Sequence, residues 1–197
     1  MKTLVLGTAD FSMPYLCTQV GIKNLSISDI CETPLHVCNF IANTESYRWR
    51  TFQSDVLTGI DGIYDVIVND AFLTRFDYDT KRCVLAQIAD SLMNDGKYIT
   101  TIRKGWRGGA PVIPDTAEQV EFVRNAVSAA YKRGIPVEKV EQAAKDYIAK
   151  MVSYPISNED MLKKLCNGIF EIEAISTITT TGECAETVYF EIVLSKN

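Results

Sequence analysis

The stretch that decides the fold is Thr-Leu-Val-Leu-Gly-Thr-Ala-Asp-Phe-Ser-Met-Pro-Tyr-Leu, residues 3–16. An apolar run at 3–6 is followed by small and polar residues, and a helix-like segment starts at Met13. This order predicts a strand, a tight turn and a helix. The first N–H groups of that helix are unpaired and its dipole is positive there, so the turn suits an anionic or carboxylate-bearing ligand. The alternative is an ordinary connection between a strand and a helix.

Composition excludes several classes of protein. The chain has 197 residues, of which 47% are hydrophobic, enough for one domain with a substantial core. The net charge of −5 argues against nucleic acid as the main partner, because that partner favours a basic face. No run of eighteen apolar residues and no basic leader followed by an apolar stretch occurs, so we expect neither a membrane span nor a secretory signal.

The six cysteines and the single histidine do not form a metal-binding pattern. No Cys-x-x-Cys pair occurs, and a zinc site needs clustered Cys and His ligands, so we expect no metal. Scattered cysteines in an acidic chain are typical of reduced thiols, which predicts a cytoplasmic protein. Histidine is the natural general base, but the position of His36 within a predicted helix favours a place on the helix surface.

The rest of the chain alternates strands with helices. The run Val66-Ile67-Val68 is typical of a central strand buried on both faces. Predicted strands lie at 3–6, 25–29, 47–54, 64–70 and 97–102, and predicted helices lie at 33–42 and 77–93, the latter closed by Asn94-Asp95-Gly96. Such alternation predicts an α/β fold with a parallel sheet, whose ligands bind beyond the carboxyl ends of the strands.

The C-terminal half departs from this alternation. Three helical stretches, at 117–132, 137–151 and 157–166, interrupt the sheet, with Ser157 as the expected cap of the third. Two final strands, at 168–179 and 187–194, predict an antiparallel pair at one edge. We therefore expect one domain over residues 1–197, with a helical insertion at about 115–165 that covers the ligand edge of the sheet.

The turn after the first strand, Gly7-Thr8-Ala9-Asp10-Phe11-Ser12, resembles the glycine loop of class I S-adenosylmethionine-dependent methyltransferases. That family has Gly-x-Gly-x-Gly there, and only Gly7 matches; Val5 replaces the acidic residue that usually precedes the loop. Asp29, Asp55 and the Asn-Asp-Ala-Phe sequence at 69–72 stand at the family's stations after strands two, three and four. The resemblance covers the whole chain and implies a Rossmann-like three-layer sandwich, with a seven-stranded, mostly parallel sheet and an antiparallel C-terminal strand.

The same resemblance implies that S-adenosyl-L-methionine is the cofactor. Asp29 would hold the ribose hydroxyls through charge-assisted hydrogen bonds, Asp55 would lie beside the adenine amine, and Asp70 would accept from the cofactor's amino group. The alternative roles are a helix cap for Asp29, a turn residue for Asp55 and a loop aspartate satisfied locally for Asp70. The implied cofactor-binding residues are Gly7, Thr8, Ala9, Asp10, Asp29, Ile30, Asp55, Val56, Asn69, Asp70, Ala71 and Phe72.

Basic and aromatic residues near the same edge indicate a small-molecule substrate. Arg75 and Arg103 could hold a carboxylate or phosphate, and Trp106 could stack on an aromatic ring. The alternatives are a solvated basic loop and a tryptophan that anchors the loop to the core. No catalytic residue is identified, because methyl transfer requires mainly the alignment of a nucleophile and no obligatory side-chain type.

Two other functions stay open from the sequence. The altered glycine loop is compatible with a non-catalytic methyltransferase-like subunit, and the early first strand is compatible with a homodimer or a partner chain that completes the site. A nicotinamide-dependent oxidoreductase would need Gly-x-Gly-x-x-Gly after the first strand, which residues 7–12 fit poorly.

Overall fold

A computed structural model gives the fold of residues 1–105, 110–181 and 186–196. Strands and helices alternate through the first half of the chain, and three helices precede the last two strands. The elements in chain order are β1 (Lys2–Leu6), α1 (Ser12–Gln19), β2 (Asn24–Asp29), α2 (Glu32–Glu45), β3 (Trp49–Gln53), β4 (Tyr64–Asn69), a 3₁₀ helix (Phe72–Arg75), α3 (Tyr78–Asp90), β5 (Leu92–Arg103), α4 (Thr116–Lys132), α5 (Val137–Ala149), α6 (Glu159–Cys166), β6 (Phe170–Thr181) and β7 (Glu186–Lys196).

The strands form one seven-stranded sheet in the order β3-β2-β1-β4-β5-β7-β6. β1 pairs in parallel with β2 on one side and with β4 on the other. β7 runs antiparallel to both of its neighbours, β5 and β6. The predicted fold class is thereby confirmed: a three-layer α/β sandwich with a mostly parallel sheet, an antiparallel C-terminal strand and helices inserted between strands five and six.

Each face of the sheet is covered by its own apolar cluster. Alternation along β4 sends Ile67 to the larger cluster, which includes residues of α3 and α6, and Val68 to the smaller one. The smaller cluster lies between the sheet and helices α1 and α2, which contribute Cys17 and Cys38. Phe11 packs against this smaller cluster, so its ring fills space beneath α1.

The chain enters β5 earlier than the sequence predicts. Asn94-Asp95-Gly96 was expected to close the preceding helix, but these residues belong to β5 and the helix ends at Asp90. The cause is pairing with the neighbouring strand: the carbonyl of Ser91 accepts the N–H of Tyr64 at 2.9 Å, and Leu92 pairs with Tyr64 and is buried in the larger cluster. Burial of an apolar side chain and a strand hydrogen bond outweigh the turn propensity of the Asn-Asp-Gly sequence.

The helices between β5 and β6 differ in what they contact. α6 lies against α3 and β6 and buries Leu162 and Leu165 in the larger cluster. Its cap is Asn158, whose side chain accepts the N–H of Met161 at 2.9 Å, so the expectation of Ser157 as the cap was wrong by one residue. α4 and α5 pack mainly against each other.

The segment between α5 and α6 is held to the body by a buried lysine. Lys81 is 1% exposed, and its ammonium group donates to the carbonyls of Phe76 and Tyr154, the latter at 2.7 Å. Tyr154 also donates its N–H to the carbonyl of Thr74 at 2.8 Å. Burial lowers the pKa of Lys81 to about 8, although Asp77 opposes this shift. The ammonium therefore fixes the chain that leads out of the α4–α5 pair.

Residues 1–105, 110–181 and 186–196 contain neither a membrane-spanning helix nor a metal-binding cluster. No helix in these ranges is long and apolar enough to cross a membrane. No group of three or more His, Cys, Asp or Glu side chains there is arranged to hold a metal ion. The five cysteines of these ranges are free thiols, and Cys184 lies outside them.

The lowered pKa of Lys81 predicts a specific pH dependence of stability. Between pH 8 and 10.5 the unfolded chain binds a proton at this lysine that the folded chain has lost, so the free energy of unfolding should rise with pH. The contribution is on the order of 1 kcal/mol per pH unit within this window. Urea unfolding of the wild type and of Lys81→Met at pH 8, 8.75 and 9.5 measures this contribution. It is the change with pH in the difference between the free energies of unfolding of the two proteins. A difference that stays constant with pH would contradict the lowered pKa.

Candidate functional site

The strand order reverses between β1 and β4, and a cavity lies at this point. The chain leaves β1 toward β2 and leaves β4 toward β5, so the loops after β1 and β4 diverge and leave a crevice. The cavity has a volume of about 330 Å³. Its lining residues come from the end of β1, the first turns of α1 and the end of β4: Val5, Gly7, Thr8, Ala9, Asp10, Ser12, Met13, Leu16, Asn69 and Asp70.

Gly7 lies against both the end of β2 and the loop after β4. It has φ +68°, and its N–H donates to the carbonyl of Ser28 at 2.8 Å, which ties the turn to the end of β2. A Cβ built on Gly7 would lie 2.1 Å from the ring of Phe72 in the loop after β4. Only glycine satisfies both the backbone conformation and this contact.

The turn from Thr8 to Ser12 is organised by its own polar groups. The Thr8 hydroxyl donates to the carbonyl of Asp10, and the Asp10 carboxylate accepts the N–H of Ser12 at 2.7 Å. The N-cap residue of α1 is Phe11, and it supplies no side-chain cap to the helix. Since Pro14 has no N–H, the N–H of Met13 is left to solvent or to a ligand in the adjacent cavity.

Asp29 ends β2 as a half-buried carboxylate. Its Oδ1 accepts the N–H of Cys31 at 2.7 Å, which is the local capping role that the sequence left open. Desolvation raises the pKa of Asp29 despite hydrogen bonds from the main chain at Cys31 and Ile30. Among the described residues no cationic group lies within 4.0 Å of it. Hydrogen-bond donors from a ligand would stabilise the charge of such a half-buried carboxylate, which has no cation beside it among the described residues.

Cys38 of α2 connects the turn after β1 with the end of β2. Its thiol lies 3.8 Å from the carbonyl oxygen of Asp10. Burial, together with the negative charges of Asp10 and Asp29, raises the pKa of Cys38 to about 11. The buried thiol of α2 thus contacts the turn after β1 and lies within the field of both carboxylates.

The two polar residues that end β4 point in different directions. Asn69 is buried, donates to the Tyr98 hydroxyl at 2.8 Å and accepts from Thr100 at 2.5 Å, so its side chain is committed inside the protein. Asp70 is exposed in the cavity wall and accepts from the Thr101 hydroxyl. A ligand in the cavity can therefore use the carboxylate of Asp70 but only the main chain of Asn69.

Five other candidate cofactor residues lie outside the cavity lining, as Asp29 does. Asp55 is a turn residue whose carboxylate accepts the N–H of Leu57 at 2.9 Å, and Val56 is buried in the larger cluster. Ile30 is exposed beside Asp29. Phe72 packs on Gly7 and on the larger cluster, and the residue before it, Ala71, has φ +52°.

Two of the three candidate substrate residues can be placed. Arg75 ends the 3₁₀ helix and is exposed, and Arg103 ends β5 and is half-buried. Trp106 lies outside the described residues. His36 is exposed on the surface of α2, as expected.

Four residues of the cavity wall were not predicted from the sequence: Val5, Ser12, Met13 and Leu16. Three of these are in α1, where Leu16 comes four positions after Ser12 and three after Met13, so it shares a face of the helix with both. That spacing was readable from the sequence. Thr101 holds Asp70 from a different strand, so its role required knowledge of the β4–β5 pairing.

Comparisons with known proteins find similarity in structure alone. No model of a known protein family matches the sequence, and no curated protein matches it either. Among solved structures, a SAM-dependent methyltransferase of Methanosarcina mazei is 13% identical, with a TM-score of 0.68 over 99% of this chain and 92% of that one. A Burkholderia thailandensis 1,6-didemethyltoxoflavin-N1-methyltransferase, bound to 1,6-didemethyltoxoflavin and S-adenosylhomocysteine, is 14% identical, with a TM-score of 0.66 over 99% and 71% of the two chains.

A third similar structure is that of PhzM, a pyocyanin biosynthetic protein. It is 12% identical, with a TM-score of 0.63, and this chain spans half of its length. The chain has the fold of the class I methyltransferases. At these identities the similarity establishes the fold, and the activity has to be argued from the site.

The contact between Gly7 and Phe72 predicts an unequal cost of two similar substitutions. Gly7→Ala and Gly21→Ala both place a Cβ on a residue of positive φ, but nothing lies within 4 Å of a Cβ at Gly21. Gly7→Ala should lower the free energy of unfolding by about 1–3 kcal/mol more than Gly21→Ala, because the ring of Phe72 must move. Chemical unfolding of both variants measures the difference. Adding Phe72→Leu should recover part of the loss in Gly7→Ala; equal costs for both alanines would contradict the contact.

Proposed function

We propose that this protein is a methyltransferase that uses S-adenosyl-L-methionine and acts on a small molecule. The observation that carries the proposal is the cavity between the first turn of α1 and the end of β4. Ligands of parallel sheets bind at this switch point, and a helix N-terminus suits a carboxylate such as that of the cofactor's amino acid part. The fold supports the proposal, since a protein of the same fold holds S-adenosylhomocysteine.

The residues around the cavity fit the chemical groups of the cofactor. The turn Thr8–Asp10 offers main-chain N–H groups to a carboxylate, and Asp70 offers a carboxylate to an ammonium group. Asp29, half-buried and without a cation among the described residues, suits the two hydroxyls of a ribose. Asp55 and Val56 follow the neighbouring strand and would contact the adenine. Ile30, Asn69, Ala71 and Phe72 would contribute main-chain contacts and packing.

The chain's own part in the reaction is positioning. The bound cofactor supplies a methyl group on a positively charged sulfur, open to displacement along one line. The Gly7 turn is fixed by its hydrogen bond to Ser28, and Asp70 is fixed by Thr101, so the two sides of the cavity are held before the ligand arrives. This fixed geometry lowers the entropic cost of aligning a nucleophile with the methyl group.

We assign substrate binding to residues at the ends of β4 and β5, on the same edge of the sheet as the cavity. Arg75, Arg103 and Trp106 are the proposed substrate residues, and the helical insertion at about 115–165 is the proposed cover of a single domain over residues 1–197. The five free thiols among the described residues support a reducing compartment, which we take to be the cytoplasm.

One observation favours a second candidate function, that of a subunit completed by a partner. Leu16 of α1, which lines the cavity, is 56% exposed, and Val20, which follows this helix, is 70% exposed. Ile99 of β5 is 43% exposed. Exposed apolar side chains near a site are typical of a surface that another chain covers. The partner would be a second copy in a homodimer or a different chain. A nicotinamide-dependent oxidoreductase is the less favoured alternative, because the turn lacks the glycines that this chemistry needs.

Calorimetric titration with S-adenosylhomocysteine tests the proposal. The wild type should bind it, and Asp29→Asn should bind it at least about tenfold more weakly, because a neutral amide accepts weaker hydrogen bonds from a diol than a carboxylate does. Asp95→Asn, at the opposite edge of the sheet, is the matched control and should bind like the wild type. Folded wild type that does not bind would overturn the proposal, and binding of NADH alone would favour the oxidoreductase.

The stability of Asp29→Asn distinguishes a binding defect in this variant from a folding defect. Because the pKa of Asp29 is raised in the folded state, the folded chain binds more protons than the unfolded chain just above the usual pKa of aspartate. Ionisation of Asp29 therefore destabilises the folded chain, and the free energy of unfolding falls as the pH rises through this window. Asp29→Asn should be at least as stable as the wild type at pH 7 in thermal unfolding, and a clearly less stable variant would contradict this account of the carboxylate.

A further inference from the structure

Beyond the cavity, charged and aromatic side chains converge at the ends of β5 and the 3₁₀ helix. We call Arg75, Arg103, Tyr147 and Tyr189 the arginine–tyrosine cluster. Arg103 is the register partner of Tyr189 across β5 and β7, so both side chains project from the same face of the sheet. Tyr147 arrives from α5 and meets Arg75. The cluster is thus assembled from four separate elements at one edge.

Both guanidinium groups contact only neutral partners in the described part of the chain. Arg75 donates to the Tyr147 hydroxyl at 3.0 Å and lies over its ring, and Arg103 donates to the Ser153 hydroxyl at 3.2 Å. No carboxylate lies within 4.0 Å of either group among those residues. A guanidinium has five donors in a planar fork that matches a carboxylate, so most of this binding capacity is unused.

The cluster also provides a flat surface for a ring. The ring of Tyr147 stacks on Phe122 of α4, with ring centres 5.7 Å apart and an angle of 25° between the planes. Arg75 lies over the same ring and is itself exposed, so Phe122 and Tyr147 support a planar guanidinium group. Such a group is a favourable surface for an aromatic ring of a ligand.

Asp70 joins the cluster to the cofactor cavity. Asp70 accepts from the hydroxyl of Thr101, which comes two positions before Arg103 on β5, so the side chains of Thr101 and Arg103 project from the same face of the sheet. Burial and the charge of Asp70 raise the pKa of Tyr189, which Arg103 lowers, in agreement with this placement. Asp70 itself lines the cavity. A molecule held by the arginines would therefore extend toward the place where the methyl group is delivered. The two guanidinium groups favour an anionic group on that molecule.

We propose that the methyl acceptor is an aromatic carboxylate, whose carboxylate binds Arg75 and Arg103 and whose hydroxyl or amino group faces Asp70. This inference rests on the proposed function. In the transfer, a lone pair of the acceptor oxygen or nitrogen forms the bond to the methyl carbon. The bond from that carbon to sulfur breaks with its electron pair going to sulfur, and the acceptor's proton passes to water.

Matched pairs of acids and amides test this proposal in the presence of saturating S-adenosylhomocysteine. The probes are 4-hydroxybenzoate and 1-hydroxy-2-naphthoate, each compared with its neutral carboxamide by saturation-transfer difference NMR. At least one acid should bind about tenfold more tightly than its amide, since a charge-assisted pair is lost in the amide. Arg103→Gln and Arg75→Gln should each remove most of this preference, and Arg103→Lys should retain part of it.

Controls separate this proposal from the proposed function. Arg124→Gln, on the exposed surface of α4, should keep the preference for the acid. The arginine variants should bind S-adenosylhomocysteine like the wild type, which verifies their fold. If the wild type binds S-adenosylhomocysteine but no acid is preferred over its amide, the substrate class is wrong while the proposed function stands. A preference that survives in both glutamine variants would also overturn the assignment of the arginines.

Discussion

The contact between Gly7 and the ring of Phe72 sets the geometry of this molecule's functional edge. It joins the loops that leave β1 and β4, the two strands between which the strand order reverses. Since the missing Cβ lets the loops meet, the first turn of α1 and the end of β4 form opposite walls of one cavity. The altered glycine loop is thus explained in part: its single retained glycine stands where the backbone needs it, and Phe11 takes up space beneath α1.

Folding shifts the pKa values of Asp77 and Asp29 in opposite directions. Asp77 caps α3 through the N–H of Thr80, and these hydrogen bonds lower its pKa, as expected for a structural carboxylate. Asp29 has main-chain hydrogen bonds as well, yet desolvation dominates and its pKa is raised. A group that is kept charged at a cost in stability, at the edge where ligands of such sheets bind, is typical of a binding site.

The sequence predicted the sheet well because the relevant signals are local. The apolar run of β4 and the turn after β1 both lie within short windows. Prediction from the sequence was wrong where the partners come from distant segments. Asn94-Asp95-Gly96 was predicted to close α3, but it joins β5 because this strand pairs with Tyr64. The same limit applies to the site. Alternation puts Asn69 on the face of Ile67, but its partner Tyr98 and the Thr101 hydroxyl that holds Asp70 belong to another strand. Neither could be inferred before the register of β4 and β5 was known.

The central claim is that the cavity at the switch point binds the cofactor, and amide chemical-shift mapping tests it most directly. Titration of ¹⁵N-labelled protein with S-adenosylhomocysteine should give the largest shifts at the amides of Thr8, Ala9 and Asp10 and at the residues that follow Asp29 and Asp55. The amides of Ile63 and Asn94, at the opposite edge of the sheet, should not move. Shifts centred on that opposite edge, or spread over α4 and α5 without the turn after β1, would contradict the account.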